Sequence, residues 1–194
     1  MIIQRFIEGM LEANCFVVSS DGQCFVIDPG YSPKKIIKYI RKEGLECIGI
    51  IATHHHYDHT AAVRQIRNEF DCPLYMHRAD CDIYGKHVDV ILEDGDVLNF
   101  GTEKLVVLHT PGHTEGGICL MNQRAKTCFT GDTIFNVDLG RTDLEDGSET
   151  QMADSIRNVC ATWPHDLTIY PGHGDPCTMK YVYGHNKEFN DIIG

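Results

Sequence analysis

The sequence predicts a single α/β domain in which mixed β-sheets are covered by helices. The chain has 194 residues, of which 42% are hydrophobic, and this suits one domain with a substantial core. Short runs of β-branched and aromatic residues, separated by turn residues, predict strands. Segments with apolar residues at every third or fourth position predict helices. Because some predicted strands follow one another directly and others alternate with helices, we expect mixed sheets in one domain spanning residues 1–194.

The first half of the chain is predicted to begin with a strand meander and to continue into a helix and a buried strand. The breaks between these segments carry turn residues, such as Asp28-Pro29-Gly30. Isoleucines at helical spacing before Gly44 identify the helix. The segments, in order, cover residues 2–7, 15–18, 24–27, 33–43 and 47–52.

The second half is predicted to alternate between helices and strands. We expect the last helix to be interrupted at Gly184, because glycine is a poor helix former. The predicted helices cover residues 60–70, 78–84, 147–161 and 179–193. The predicted strands cover residues 74–77, 105–108, 118–121, 127–130 and 167–170.

Composition excludes several classes of partner. The chain carries 28 acidic and 17 basic residues, a net charge of −11, and it has no Lys/Arg-rich run, so we expect no nucleic-acid partner. No apolar run approaches the roughly 18 residues of a membrane span, and the N-terminus is too short and polar for a signal peptide. Nine cysteines without a CxxC pair suggest reduced, buried thiols. We therefore expect a cytoplasmic protein with a small-molecule substrate.

A histidine-rich run is the most informative segment of the chain. Thr53 to His59 contains the pattern His-x-His-x-Asp-His, which puts four potential metal ligands within six positions after an apolar stretch. A helix puts residues on one side at every third or fourth position, and a strand does so at every second position. The spacing of the four ligands follows neither pattern throughout the run. The run therefore predicts a loop at a strand end that wraps around metal ions.

Three later turns repeat this arrangement of a strand followed by a ligand-type residue. They are Thr-Pro-Gly-His113-Thr, Thr-Gly-Asp132-Thr and Pro-Gly-His173-Gly, and the glycine beside each ligand lets the backbone bend sharply and approach an ion. With the first run they form a set of seven potential ligands: His54, His56, Asp58, His59, His113, Asp132 and His173.

Seven ligands are too many for one tetrahedral ion. They suit two divalent ions that share one carboxylate and a hydroxide, about 3.5–4 Å apart, because metal binding lowers the pKa of water toward about 7. Nitrogen and carboxylate ligands favour zinc, with iron and manganese as alternatives. The sequence therefore predicts a dinuclear hydrolase with a metal-bridging hydroxide as the nucleophile.

Together these motifs resemble the metallo-β-lactamase superfamily, over a stretch from Ile27 to His173. The resemblance implies a four-layer αββα sandwich with the metals at one sheet edge. Residue by residue it implies three sets of ligands: His54, His56 and His113 for one ion, Asp58, His59 and His173 for the other, and Asp132 as the bridge. True β-lactamases often have cysteine where Asp132 stands, so the aspartate points away from them.

A narrower resemblance lies in the segment from Phe135 to Leu144, which contains Gly-Arg-Thr-Asp. This segment is similar to that of glyoxalase II-like enzymes, the hydroxyacylglutathione hydrolases, which cleave thioesters. Full-length members carry a further helical domain that binds glutathione. Only about 20 residues follow His173, so we expect that domain to be missing. The resemblance implies a thioester hydrolase, and Asp58 is the candidate catalytic residue that orients the hydroxide.

Three further residues are candidates around the site, each with two interpretations. Asp28 could orient a ligand histidine or simply close its turn. Arg141 could hold a substrate carboxylate or pair with Asp143. Tyr57 could line the pocket or only pack, and we expect His55 to be a spacer rather than a ligand.

Two other functions remain open at this point. Persulfide dioxygenases share the fold and carry a similar Gly-Arg-Thr-Asp segment, but they are oxidoreductases with a single iron. Another hydrolase of the same class could cleave a small ester, a lactone or a phosphodiester. The number of bound metal ions distinguishes the dioxygenase from the dinuclear hydrolases.

Overall fold

Two β-sheets packed face to face form the centre of the protein. The computed structural model describes all 194 residues except the side chain of Glu8. Across the described chain, one sheet has the strand order β1-β2-β3-β4-β5-β6 and the other has the order β12-β11-β10-β9-β8-β7. The strands of the first sheet are β1 (Ile2–Glu8), β2 (Ala13–Ser20), β3 (Gln23–Ile27), β4 (Glu46–Ile51), β5 (Leu74–His77) and β6 (Val90–Leu92). Those of the second are β7 (Val97–Phe100), β8 (Glu103–His109), β9 (Ile118–Asn122), β10 (Thr127–Gly131), β11 (Thr168–Pro171) and β12 (Cys177–Thr178).

Helices cover the outer face of each sheet. In chain order they are α1 (Pro33–Lys42), α2 (Tyr57–Thr60), α3 (Val63–Phe70), α4 (Arg78–Tyr84), α5 (Glu149–Asn158), α6 (Met179–His185) and α7 (Lys187–Ile193). A short 3-10 helix, Cys160–Thr162, follows α5. Buried residues of α1 and α3, such as Ile36 and Ile66, pack on the first sheet. Buried residues of α5 and α7, such as Ile156 and Phe189, pack on the second. The predicted αββα sandwich of mixed sheets is confirmed.

The structure differs from the predicted elements in three short strands, in the helix α2, which begins inside the predicted histidine-rich loop, and in the break of the last helix. Short strands β6, β7 and β12 were not predicted, because runs of two to four residues carry little periodicity. Gly184 lies inside α6, and the break in the last helix falls at Asn186 instead. Asn186 is fully buried, and its side chain accepts the Phe189 N–H and donates to the carbonyls of Phe135 and Asp138. The break is therefore fixed by a tertiary contact.

The strand directions bring five loops to one edge of the sandwich. β3 and β4 are parallel, as are β10 and β11, and β8 runs the same way as β10 because both are antiparallel to β9. Their carboxyl ends therefore meet at the same edge. Two backbone hydrogen bonds join the sheets there, from Ile118 N–H to the Thr53 carbonyl (3.0 Å) and from Asn14 N–H to the Gly172 carbonyl (2.7 Å).

The helices described by the structure are all too short or too polar to span a lipid bilayer.

Replacing Phe129 with alanine should destabilise the sandwich strongly. The Phe129 ring is fully buried between the sheets, 5.2 Å from the Phe16 ring and 5.3 Å from the Tyr170 ring. Phe129→Ala should lower the free energy of unfolding by about 3–5 kcal/mol, because it removes buried apolar surface and leaves a cavity. Urea titration monitored by circular dichroism measures this, with Phe129→Leu as the milder comparison. A loss below about 1 kcal/mol for the alanine variant would contradict the predicted core.

Candidate metal centre

All seven predicted ligands meet at the edge where the strands end. The loop after β4 carries His54 and His56, and α2 carries Asp58 and His59. The loop after β8 carries His113, and the turns after β10 and β11 carry Asp132 and His173. Six of the seven divide into two clusters, which we call the histidine cluster and the mixed cluster. The histidine cluster consists of His54, His56 and His113, and the mixed cluster of Asp58, His59 and His173.

The histidine cluster is compact. His56 Nδ1 lies 2.9 Å from His113 Nε2, and the ring centroids of His54 and His113 are 5.0 Å apart. One nitrogen of each residue lies within 4.8 Å of the other two. This spacing allows three imidazoles to point at one ion, as in a three-ligand zinc site.

The mixed cluster has the same dimensions. His59 Nε2 lies 3.2 Å from His173 Nε2, and Asp58 Oδ2 is 3.4 Å from the same His173 nitrogen and 3.6 Å from His59 Nε2. Two nitrogens and one carboxylate oxygen therefore converge on a second point.

Asp132 lies between the two clusters. Its Oδ2 is 3.4 Å from His113 Nε2 in the histidine cluster and 3.5 Å from His173 Nε2 in the mixed cluster. Its Oδ1 is 3.5 Å from His59 Nε2. One buried carboxylate thus reaches both clusters, which is the position of a shared ligand.

Backbone carbonyls fix the orientation of two of the histidines. His113 Nδ1 donates to the carbonyl of Arg141 at 2.7 Å, and His173 Nδ1 donates to the carbonyl of Leu11 at 2.9 Å. Each bond puts a proton on Nδ1, so in the neutral ring the Nε2 lone pair is directed at the clusters. A Cβ at Gly140 would overlap the Asp132 carbonyl oxygen, so only glycine lets the chain bring the Arg141 carbonyl this close.

Asp28 and Thr53 orient two further histidines. Asp28 accepts hydrogen bonds from the Thr53 N–H (2.7 Å), the Thr53 hydroxyl (2.6 Å) and His59 Nδ1 (3.2 Å). The Thr53 oxygen, having donated its proton, accepts from His54 Nδ1 at 3.1 Å. In the neutral rings the Nε2 atoms of His54 and His59 are therefore left as acceptors, and Asp28 contacts a ligand histidine, as the first of its two interpretations requires.

Metal cations fit this arrangement. Imidazole nitrogens of different residues approach each other to 2.9 Å and 3.2 Å, so in each cluster the rings are directed at one point that a cation could occupy. Among the side chains that the structure describes, His54 Nε2 and Asp132 Oδ1 are buried without a hydrogen-bond partner, an arrangement that a metal ion would satisfy. A Cβ at Gly172 would overlap Asp132 Oδ1, so the glycine keeps this space open.

The electrostatics of the mixed cluster favour positive charge. Burial lowers the pKa of His59, but Asp132 and Asp28 outweigh it and raise the pKa to about 9. Burial likewise opposes the charge on His173, but hydrogen bonds to Asp132 and Asp58 raise its pKa to about 10. The pKa of Asp132 is far below its usual range, since the surrounding histidines outweigh its burial. The carboxylates thus keep the His59 and His173 rings protonated, and the same negative charge would stabilise metal ions.

The histidine cluster shows the opposite shift. Burial and the neighbouring His113 lower the pKa of His56 to about 4, and burial lowers the pKa of His54 well below its usual range. These imidazoles are neutral at pH 7, which is the form that binds a metal ion.

The other candidate residues lie around the clusters. Arg141 is largely exposed and makes a bidentate ion pair with Asp143, at 2.7 and 2.9 Å. Tyr57 is 64% exposed and lies edge-on to the Tyr31 ring, 5.8 Å away. The His55 ring lies 4.6 Å from the His56 ring, and its Nδ1 contacts a carboxylate at 3.1 Å.

That carboxylate belongs to Asp80, a residue that the sequence analysis missed. Asp80 is fully buried and accepts hydrogen bonds from the His55 N–H (2.8 Å), the His55 ring (3.1 Å), the Gly116 N–H (2.6 Å) and the Thr114 hydroxyl (3.1 Å). It therefore joins the His54–His56 loop to the loop that follows His113. No local pattern marks Asp80, which lies on α4 far from both loops in sequence.

A cavity of about 680 Å³ opens beside the two clusters. Ligand atoms of His56, His113, Asp58, Asp132 and His173 reach its floor. Its volume falls within the range of about 300–1,000 Å³ that is typical of small-molecule sites. The apolar side chains that line it are Leu11, Tyr57, Phe135, Val137 and Leu144.

Comparison with known proteins identifies the family. Residues 9–173 match the metallo-beta-lactamase superfamily, and the chain belongs to it. The chain is 33% identical to YqgX, a probable metallo-hydrolase of Bacillus subtilis, over 88% of this chain and 89% of that protein. It is 31% identical to the hydroxyacylglutathione hydrolase of Pelagibacter ubique, over 86% of this chain and 68% of that protein. These relatives support a metal-dependent hydrolase.

Solved structures support the same fold. The crystal structure of the B3 metallo-beta-lactamase BLEG-1 superposes with a TM-score of 0.91 at 28% identity, covering 97% of this chain and 99% of that one. The crystal structure of TTHA1623 in a di-iron-bound form superposes with a TM-score of 0.86 at 27% identity, covering 95% and 99%. The predicted resemblance is confirmed, and the His/Asp clusters are suited to two metal ions.

Replacing Asp80 with asparagine should weaken metal binding without unfolding the protein. The amide would set an NH₂ group against N–H donors that now bind the carboxylate, so the two loops of the histidine cluster would separate. We expect metal affinity to fall by about 10–100-fold, the usual effect of removing a group that orients ligands. Competition with a chromophoric chelator measures this. Asp82→Asn, at an exposed site on the same helix, is the matched control; equal affinity in both variants would contradict the role of Asp80.

The metal-free protein should be most stable near pH 6.5. His59, with its pKa raised to about 9, stabilises the fold fully below about pH 6.5 and loses this contribution as the pH rises to about 9. The pKa of His56 is lowered to about 4, so the fold has its full stability with respect to this residue above about pH 6.5. That stability is lost as the pH falls to about 4, because the unfolded chain binds the proton more readily. Melting temperatures of chelator-treated protein between pH 4 and 10 test this, and added zinc should remove the alkaline decline. Constant stability from pH 6.5 to 9.5 would refute the assignment.

Proposed function

We propose that this protein is a dinuclear metal-dependent hydrolase that cleaves a thioester bond. The observation that carries the proposal is the position of Asp132, whose carboxylate oxygens lie within 3.5 Å of nitrogens in both clusters. In the proposed centre Asp132 bridges, and each cluster provides three ligands to one ion. The complete set is His54, His56 and His113 for one ion and Asp58, His59 and His173 for the other.

We propose zinc as the resident metal, with iron and manganese as alternatives. Five imidazoles and two carboxylates, without a thiolate, form the ligand set, and this combination suits all three metals. The di-iron form of TTHA1623 supports iron as a realistic occupant in a structural relative. Metal ions bound there would supply a deprotonated water at neutral pH and positive charge for a carbonyl oxygen.

Residues of the chain orient the attacking water and hold the ligand rings. Burial raises the pKa of Asp58, but the hydrogen bond from His173 and the charge of His59 bring it below the usual value. Asp58 is therefore ionised, so it can accept a hydrogen bond from water and orient it, but it cannot donate a proton. The hydrogen bonds from His113 to Arg141 and from His173 to Leu11 hold the ligand rings in place during the reaction.

An ionised Asp58 supports a substrate with a good leaving group. Alkyl thiols have pKa values near 8.5, so a thiolate leaves without first receiving a proton, whereas an amine requires a general acid. The likeness to hydroxyacylglutathione hydrolase supports a thioester on independent grounds.

We further propose a cytoplasmic enzyme that acts on a small molecule. Seven of the nine cysteines are buried, which fits a chain that is kept reduced. The cavity beside the clusters is large enough for a substrate of that size. The fold is shared with a B3 metallo-beta-lactamase, so β-lactams belong in any substrate test beside thioesters.

Asp132→Ala should remove both the second metal ion and hydrolysis. The wild-type protein should bind two metal ions per chain by mass spectrometry and cleave a thioester in a reaction that a chelator abolishes. Loss of the bridging carboxylate should lower the metal content toward one and reduce kcat/KM by about 100-fold or more, since metal ions contribute several kcal/mol to stabilising developing charge. Asp166→Ala, at an exposed site, is the control.

Three outcomes would overturn the proposal. Two bound metals and full activity in Asp132→Ala would exclude the bridged centre. A single iron per wild-type chain together with persulfide oxidation would favour a dioxygenase. Cleavage of β-lactams, lactones or phosphodiesters without thioester cleavage would assign another hydrolase reaction.

A further inference from the structure

The cavity beside the metal centre has apolar walls that are open to solvent. Leu11 and Tyr57 come from the N-terminal half and are 63% and 64% exposed. Val137 and Leu144 come from the segment after Asp132 and are 47% and 38% exposed. Exposed apolar side chains that gather around one cavity mark a surface that binds an apolar group.

The N-terminal wall is braced by an aromatic contact. Leu11 belongs to the turn between β1 and β2, and its carbonyl accepts the hydrogen bond from His173. The Tyr31 ring packs against Gly9 of the same turn and lies edge-on to Tyr57. The position of this wall is therefore linked to the metal ligand itself.

The second wall is braced from the C-terminal helices. The buried Asn186 side chain donates to the carbonyls of Phe135 and Asp138, on either side of Val137. The Leu139 N–H donates to the Glu188 carboxylate at 2.8 Å. Both walls thus stand on hydrogen-bonded supports, so the cavity is largely formed before a ligand arrives.

The charges around the mouth disfavour an anion. Among the cavity-lining residues whose side chains the structure describes, Arg141 carries the one guanidinium or ammonium group, and Asp143 already neutralises it through two hydrogen bonds. Asp138 adds an exposed carboxylate to the same rim. Arg141, Asp143 and Asp138 together leave the rim with one negative charge, so a negatively charged substrate group at the rim would lose its hydration and find the Arg141 guanidinium already paired.

We propose that the cavity selects thioesters by their acyl chain, which reaches from the carbonyl to the rim and is apolar and uncharged in the preferred substrates. This inference rests on the proposed thioester hydrolysis and narrows its substrate class. It separates acyl groups that end in a methyl group from acyl groups that end in a carboxylate. Val137 and Leu144 are the specificity-determining residues.

A series of N-acetylcysteamine thioesters tests the selection, because this thiol is neutral. From acetyl to butyryl to hexanoyl, kcat/KM should rise about two- to fourfold for each added methylene, the range that burial of one CH₂ allows. Succinyl thioester should react at least about tenfold more slowly than butyryl, since it ends in a carboxylate. A flat series, or a faster reaction with the succinyl substrate, would overturn the inference.

Variants locate the effect in the walls. Val137→Ser and Leu144→Ser should each flatten the dependence on chain length. Val97→Ser, at a position 48% exposed on β7 and absent from the cavity lining, should leave that dependence unchanged. The double variant Arg141→Ala with Asp143→Asn, which keeps the net charge of the rim, should not change the ratio of succinyl to butyryl rates. A tenfold fall in that ratio would show that Arg141 binds the carboxylate and would contradict the proposal.

A binding measurement separates this inference from the proposed function. Ketone analogues, in which a methylene replaces the sulfur, cannot be hydrolysed, and calorimetry should show tighter binding of the hexanoyl than of the acetyl analogue. Thioester cleavage without such a preference in rate or binding would refute the selection alone. Absence of cleavage of every thioester by protein with two bound metals would refute the proposed function, whatever the analogues show.

Discussion

Much of this structure depends on the electrostatic contact between one buried carboxylate and two groups of imidazoles. Asp132 lies where the sheets meet at their common edge, with nitrogens of His59, His113 and His173 within 3.5 Å. A buried carboxylate costs several kcal/mol unless positive charge compensates it. The low pKa of Asp132 and the raised pKa values of His59 and His173 have one cause, because each charge is stabilised by the opposite charge beside it. Metal ions bound at both clusters would supply the same compensating positive charge.

The β-sandwich positions the ligand loops around Asp132 and holds their side chains in place. Parallel strand pairs bring the ligand loops to one edge, and the backbone hydrogen bonds that join the sheets fix their separation there. Asp28, Asp80 and two backbone carbonyls then hold the imidazoles at fixed orientations. The same supports reach the cavity walls, since the Leu11 carbonyl holds His173 while the Leu11 side chain lines the cavity.

The parts of the structure that sequence could predict are those with a local signal. The ligand residues follow strand ends beside glycines, so their types and order predicted the seven side chains that the fold brings together. Asp80 contacts a loop 34–36 residues away in the sequence. Asn186 contacts a loop 48–51 residues away. No spacing rule in the sequence predicts contacts at such separations. The helix break was predicted at Gly184 because glycine is a poor helix former. The break lies at Asn186 instead, because the tertiary contacts of that residue fix its position.

The central claim is that Asp132 is shared by two metal ions. Anomalous X-ray diffraction from crystals of the metal-loaded protein tests it most directly, because each bound ion gives its own peak. We expect two peaks about 3.5–4 Å apart, one within each cluster, with an oxygen of Asp132 bound to each ion or bridging both. A single peak, or two peaks of which only one contacts Asp132, would contradict the account.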